Sequence, residues 1–101
     1  MIKITKIYDT NYQRNGSGEA EGFYSALVNW EEDDVSFSNF LITFETDSND
    51  EKIQEVNIRV VDLSNLKTCW RGDGFVEPLQ KYLKKKVKTN IHDFMKYGEN
   101  A

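Results

Sequence analysis

Two residues hold most of the reactive chemistry this chain could offer, Cys69 and His92, each the only one of its type. A Cys-His or Ser-His-Asp arrangement would need His92 beside Cys69 or a serine, with a third group orienting the ring. His92 follows Ile91 at the start of a predicted final helix, a usual place for a solvated polar side chain. Cys69, between Thr68 and Trp70, has the setting of a small packed hydrophobe. Nothing here supports a nucleophile and base pair, so the chain reads as a non-enzyme.

Ligand chemistry fares no better. One Cys and one His cannot build a structural zinc site. Asp47-Ser48-Asn49-Asp50-Glu51 opens like a calcium loop, but Lys52 stands at the required Gly and Ile58 at the bidentate Glu. No glycine-rich phosphate motif occurs. Gly72-Asp73-Gly74 could offer backbone N–H groups to an anion; its ordinary reading is a turn with Asp73 as helix N-cap. No cofactor and no metal is expected.

What remains is surface charge and aromatic surface. The formal net charge is −4, unevenly spread. Residues 1–66 carry five Lys/Arg against thirteen Asp/Glu, a net of −8, and residues 67–101 carry eight against four, a net of +4. Such asymmetry points to the way a surface meets its partners, with solubility as the plainer explanation. The carboxylates gather in two predicted turns. Glu31, Glu32, Asp33 and Asp34 form one; Glu45, Asp47, Asp50 and Glu51 form the other. Trp30 lies beside the first, and Trp70-Arg71 precedes a helix. These residue types anchor interfaces, although both tryptophans could equally pack in the core. The basic counterpart is Lys81, Lys84, Lys85 and Lys88, on the helix face opposite Leu79, Tyr82, Leu83 and Val87. Four lysines could contact phosphates, but neither arginine nor base-stacking aromatics accompany them, and such faces are routine on solvated helices.

These residues must be positioned by a small number of elements. At 101 residues the chain is expected to be a single domain, 1–101. With 39% hydrophobic residues and one Pro, it has material for one core and too much for disorder. The lone Cys excludes an intrachain disulfide, and no apolar run reaches signal-peptide or membrane-span length. A cytoplasmic location is therefore expected.

Alternating apolar residues predict strands at about 1–9, 22–30, 35–45 and 52–62. In the second, Tyr24, Ala26, Val28 and Trp30 share a face; in the fourth, Val56, Ile58 and Val60 do. The third changes phase: Val35 and Phe37 follow one parity, Phe40, Ile42 and Phe44 the other. An inserted residue is needed to reconcile them, which predicts a β-bulge near Ser38-Asn39. Short connections favour an antiparallel meander. After Leu66 the period becomes helical, with Leu79, Tyr82, Leu83 and Val87 on one stripe. Ile91 and Met95 drift off that stripe, and Asn90 can cap. Two helices are favoured over one, at about 76–88 and 90–97.

The expected fold is α+β: a four-stranded antiparallel meander, one face covered by the C-terminal helix and the other partly open. The expected function is that of a small acidic binding protein that inhibits or neutralises a basic protein partner. An immunity protein against a nuclease toxin, or a phage anti-defence inhibitor, has this physical type. The alternatives are a nucleic-acid-binding accessory protein using the helix lysines, and a structural or assembly subunit.

Overall fold

A computed structural model describes residues 1–14, 22–47, 51–54, 58–69, 72–86 and 90–97. Its order is β1 (Ile2–Arg14), β2 (Gly22–Glu32), β3 (Val35–Glu45), β4 (Arg59–Asp62), β5 (Lys67–Cys69), α1 (Gly72–Lys86) and α2 (Ile91–Tyr97). The strands form one antiparallel sheet in the order β1-β2-β3-β4-β5. The α+β class and the meander follow from the alternation in the sequence. Both helices pack against β1.

Backbone geometry decides which side chains reach the core. In the β2–β3 pairing, Val28 faces Phe40 and Trp30 faces Phe37, so Ser38 and Asn39 together oppose Asn29 alone. This is the expected bulge, and Asn39 takes its left-handed conformation (φ 62°), which Asn tolerates better than most residues. The extra residue keeps Phe37 and Phe40 on the face that holds Ile42 and Phe44. β1 does the same twice, at Thr5 and around Asp9 and Thr10, where Asp9 has φ 48°. Ile4, Ile7 and Tyr12 thereby all turn toward the helices despite uneven spacing.

Four expectations need correction. The first strand does not end near 9: it runs to Arg14, its pairing with β2 carried past the bulge at Asp9 and Thr10. The fourth strand is not continuous from 52: among the described residues ladder pairing covers Arg59–Asp62, and Ile53 makes an isolated bridge to Thr46. Within it Ile58 and Val60 are buried, while Val56 lies outside the described residues. A fifth strand, Lys67–Cys69, continues the meander through the turn 63–66. The first helix begins at Gly72, not near 76. Gly72, Asp73 and Gly74 thus lie in its first turn, and Asp73 is a helical residue and not the N-cap. Pro78 therefore sits well within the helix, where its ring leaves one N–H···O bond unmade. The early start adds Phe75 to the buried stripe of Leu79, Tyr82 and Leu83, spaced as an amphipathic helix requires.

The two helices are separate, as the drift of the apolar stripe predicted. Asn90 Oδ1 accepts the Asp93 N–H at 3.0 Å, an N-cap bond that starts α2 and contributes about 1 kcal/mol. From α2, Ile91, Phe94 and Met95 complete the core. No described helix is long and apolar enough to cross a membrane.

Candidate binding surfaces

The β2–β3 turn is a tight two-residue hairpin. Glu32 pairs with Val35, and the two central residues, Asp33 (φ 51°) and Asp34 (φ 65°), are both left-handed. That is the type I′ signature, whose twist matches the strands it joins. Asp is among the few non-glycine residues suited to it. Glu31, Asp33 and Asp34 are exposed and Glu32 is half-buried. The Met1 amino group stands 3.4 Å from Asp33 Oδ1, a solvated pair of little energetic weight.

The second acidic group lies at the other end of β3, whose eleven residues span about 35 Å at the usual rise. The two groups therefore frame the sheet, as a meander requires. Their characters differ. Asp47 Oδ1 accepts the Glu51 N–H at 3.0 Å, and the Asp47 N–H donates to the Lys52 carbonyl at 2.8 Å. This carboxylate organises its own loop. Glu45 is half-buried and Glu51 exposed; Asp50 lies outside the described residues. The loop is clipped to α1 by Gln80, whose Oε1 accepts the Ile53 N–H (3.0 Å) and whose Nε2 donates to the Glu51 carbonyl (2.7 Å). Sequence reasoning passed over Gln80, since a lone polar residue on an amphipathic helix gives no signal of a long-range role.

Trp30 is not a surface anchor. It is 1% exposed, stacked on Phe37 (centroids 4.7 Å apart, 14° between planes) and met edge-on by Phe40 and Phe75. Its Nε1 is buried without a hydrogen-bond partner among the described residues. A tryptophan at the inward parity of a strand pairing with other aromatics is core material. Trp70 and Arg71 lie outside the described residues.

The sheet face turned away from the helices carries a feature visible only through the register. Tyr8 pairs with Leu27, Leu27 with Leu41, and Leu41 with Val61. These four half-buried side chains form an apolar row across four strands, because residues in register share a face. Beside the row, Asn29 Oδ1 accepts the Asn39 N–H at 2.9 Å. The Tyr8 hydroxyl sits between Asn29 Oδ1 (3.2 Å) and Asn39 Oδ1. The bulge is thus locked by side chains on this outer face. Lys6 lies over the Tyr8 ring, Nζ to centroid 4.9 Å, and Phe23 is 39% exposed further along β2.

The helix lysines Lys81, Lys84 and Lys85 are exposed; Lys88 lies outside the described residues. His92 is on the helix side of the sheet, its Nδ1 3.0 Å from the Tyr24 hydroxyl and its ring packed edge-on against Tyr12. That contact ties α2 to β1 and β2. Among the described residues no three His, Cys, Asp or Glu side chains are grouped to hold a metal ion.

No protein-family model, curated protein or solved structure matches this chain.

Proposed function

We propose that the protein is a non-enzymatic binding protein that neutralises or inhibits a basic protein partner in the cytoplasm, through the outer sheet face and its acidic hairpin tip. The observation that carries this reading is the joining of two features on one side of the molecule. Glu31, Asp33 and Asp34 are exposed on a tight hairpin, and an apolar row of Tyr8, Leu27, Leu41 and Val61 crosses the sheet beside them. The division of labour is physical: projecting carboxylates accelerate encounter with a basic surface, while desolvated apolar side chains slow its release. A nuclease toxin or a nucleic-acid-binding defence effector is basic in the way this requires.

The test begins with affinity purification from the native host and identification of what co-purifies. Association of that protein is then timed by stopped flow. Glu31→Lys and Glu32→Lys combined with Asp33→Asn and Asp34→Asn reverse the tip's charge while Asn keeps the left-handed turn. Association should slow by about tenfold or more at low salt, and less at high salt. An unchanged rate at low salt would reject the reading.

A second reading rests on exposed Lys81, Lys84 and Lys85, which could contact nucleic-acid phosphates. It requires retardation of DNA or RNA that weakens steeply with salt.

A further inference from the structure

Val35, Leu63 and Leu66 are exposed apolar side chains that the meander gathers toward one end of the sheet. Val35 opens β3 beside the acidic hairpin tip. β4 runs back toward that tip, because Arg59 pairs with Thr43 and Asp62 with Phe40, and the turn 63–66 follows it. Phe40 stands five residues from Val35, about 17 Å along the strand, and the turn spans part of that distance. We infer that this end of the sheet docks the basic partner, with Leu63, Leu66 and Val35 entering an apolar recess whose basic rim meets the tip carboxylates. The inference rests on the function proposed above and adds the residues that hold the partner once it has arrived.

The turn goes against local preference without a gain in packing. Leu66 has φ 57°, a left-handed conformation that suits glycine or asparagine and disfavours leucine. At 77% exposure its side chain gains little from burial to offset that strain. A local rule broken in this way marks a functional position. The turn is also pre-arranged. Asp62 Oδ1 accepts from the Ser64 N–H (3.0 Å) and the Ser64 hydroxyl (2.7 Å), and Asn65 Oδ1 accepts the Lys67 N–H at 3.0 Å. Leu63 and Leu66 are therefore held in place before contact, and little ordering entropy is lost when they are covered.

Charge indicates what covers them. Exposed Glu31, Asp33 and Asp34 share this end with half-buried Glu32 and Asp62, against Lys3, Lys67 and the Met1 amino group. The excess is negative. It favours a recess rimmed by Lys and Arg, and it repels the phosphates of nucleic acid or an anionic lipid surface. A second copy docked end to end would set the same carboxylates against each other.

The test uses the full chain and the basic protein that co-purifies with it, with association and dissociation timed separately. Leu63→Ser combined with Leu66→Asn should raise the dissociation rate by about tenfold or more, the scale of a lost anchor residue. Its association rate should stay close to that of the wild type. The tip-charge variant should show the opposite pattern, with slowed association and a smaller change in dissociation. Leu66→Asn alone should leave the urea midpoint unchanged or raise it, since asparagine accepts the left-handed backbone. A lowered midpoint would show that Leu66 serves packing, and it would overturn the inference. Unchanged dissociation in the double leucine variant would also overturn it, and slowed association in the tip-charge variant would then leave the proposed function standing. Retention of no basic protein would reject both.

Discussion

The two faces of β2 divide the molecule's work. On one face Tyr24, Ala26, Val28 and Trp30 are each 1% exposed or less, sealed by the helices and by Phe37, Phe40 and Phe44. On the other, Ser25, Leu27 and Asn29 stay half-buried and Phe23 is exposed. The same strand thus supplies a core and a surface, and the difference teaches where stability and surface chemistry can be altered separately. Burial of a large side chain is worth several kcal/mol, whereas a half-exposed one forfeits much of that gain. Mutations should therefore act in opposite ways on the two faces.

The largest effect is expected at Trp30. Trp30→Ala empties the centre of an aromatic cluster and should destabilise the fold by about 3–5 kcal/mol, read as a lowered midpoint in urea. If the loss were small, the covered face would not be the seat of stability. Next is Asn39→Ala, which puts a residue less suited to φ 62° at the bulge and removes the Oδ1 that accepts from the Tyr8 hydroxyl. A loss of about 1–2 kcal/mol is expected, with Asn39→Gly losing less because glycine accepts the backbone conformation. Asn90→Ala should cost about 1 kcal/mol through the lost cap, and amide exchange should rise selectively in α2. Smallest on stability is Leu41→Ser on the outer face, about 1 kcal/mol or less if that face is open to solvent. A larger drop would mean that Leu41 contributes to packing as Trp30 does.

The sequence disclosed some of this and concealed the rest for definite reasons. The phase change in the third strand located the bulge, because a two-residue period cannot shift without an insertion. Ile2, Ile4 and then Ile7 carry the same change of parity in β1, where it marks the bulge at Thr5. The drift of Ile91 and Met95 separated the helices. β5 escaped notice because three residues, Lys67–Cys69, are too few to establish alternation. The start of α1 was hidden by Gly72, Gly74 and Pro78, which locally favour turns; burial of Phe75 against Trp30 overrides that preference. Of the candidate surfaces, the acidic tip was legible from four adjacent carboxylates, and the fate of Trp30 depended on which aromatics tertiary packing brought to it. Neither the apolar row nor the apolar end of the sheet could be read from periodicity. Each joins residues distant in the chain, Tyr8 with Val61 in one case and Val35 with Leu66 in the other, through strand register.

The claim that the outer face is for recognition is tested most directly by a Leu27→Lys, Leu41→Lys double variant in co-purification beside the wild type. Its fold should be retained, seen as unchanged far-UV circular dichroism and a urea midpoint near that of the wild type. A basic protein should be captured by the wild type and lost with the variant. Capture of the same protein in equal amount by the folded variant would contradict the account.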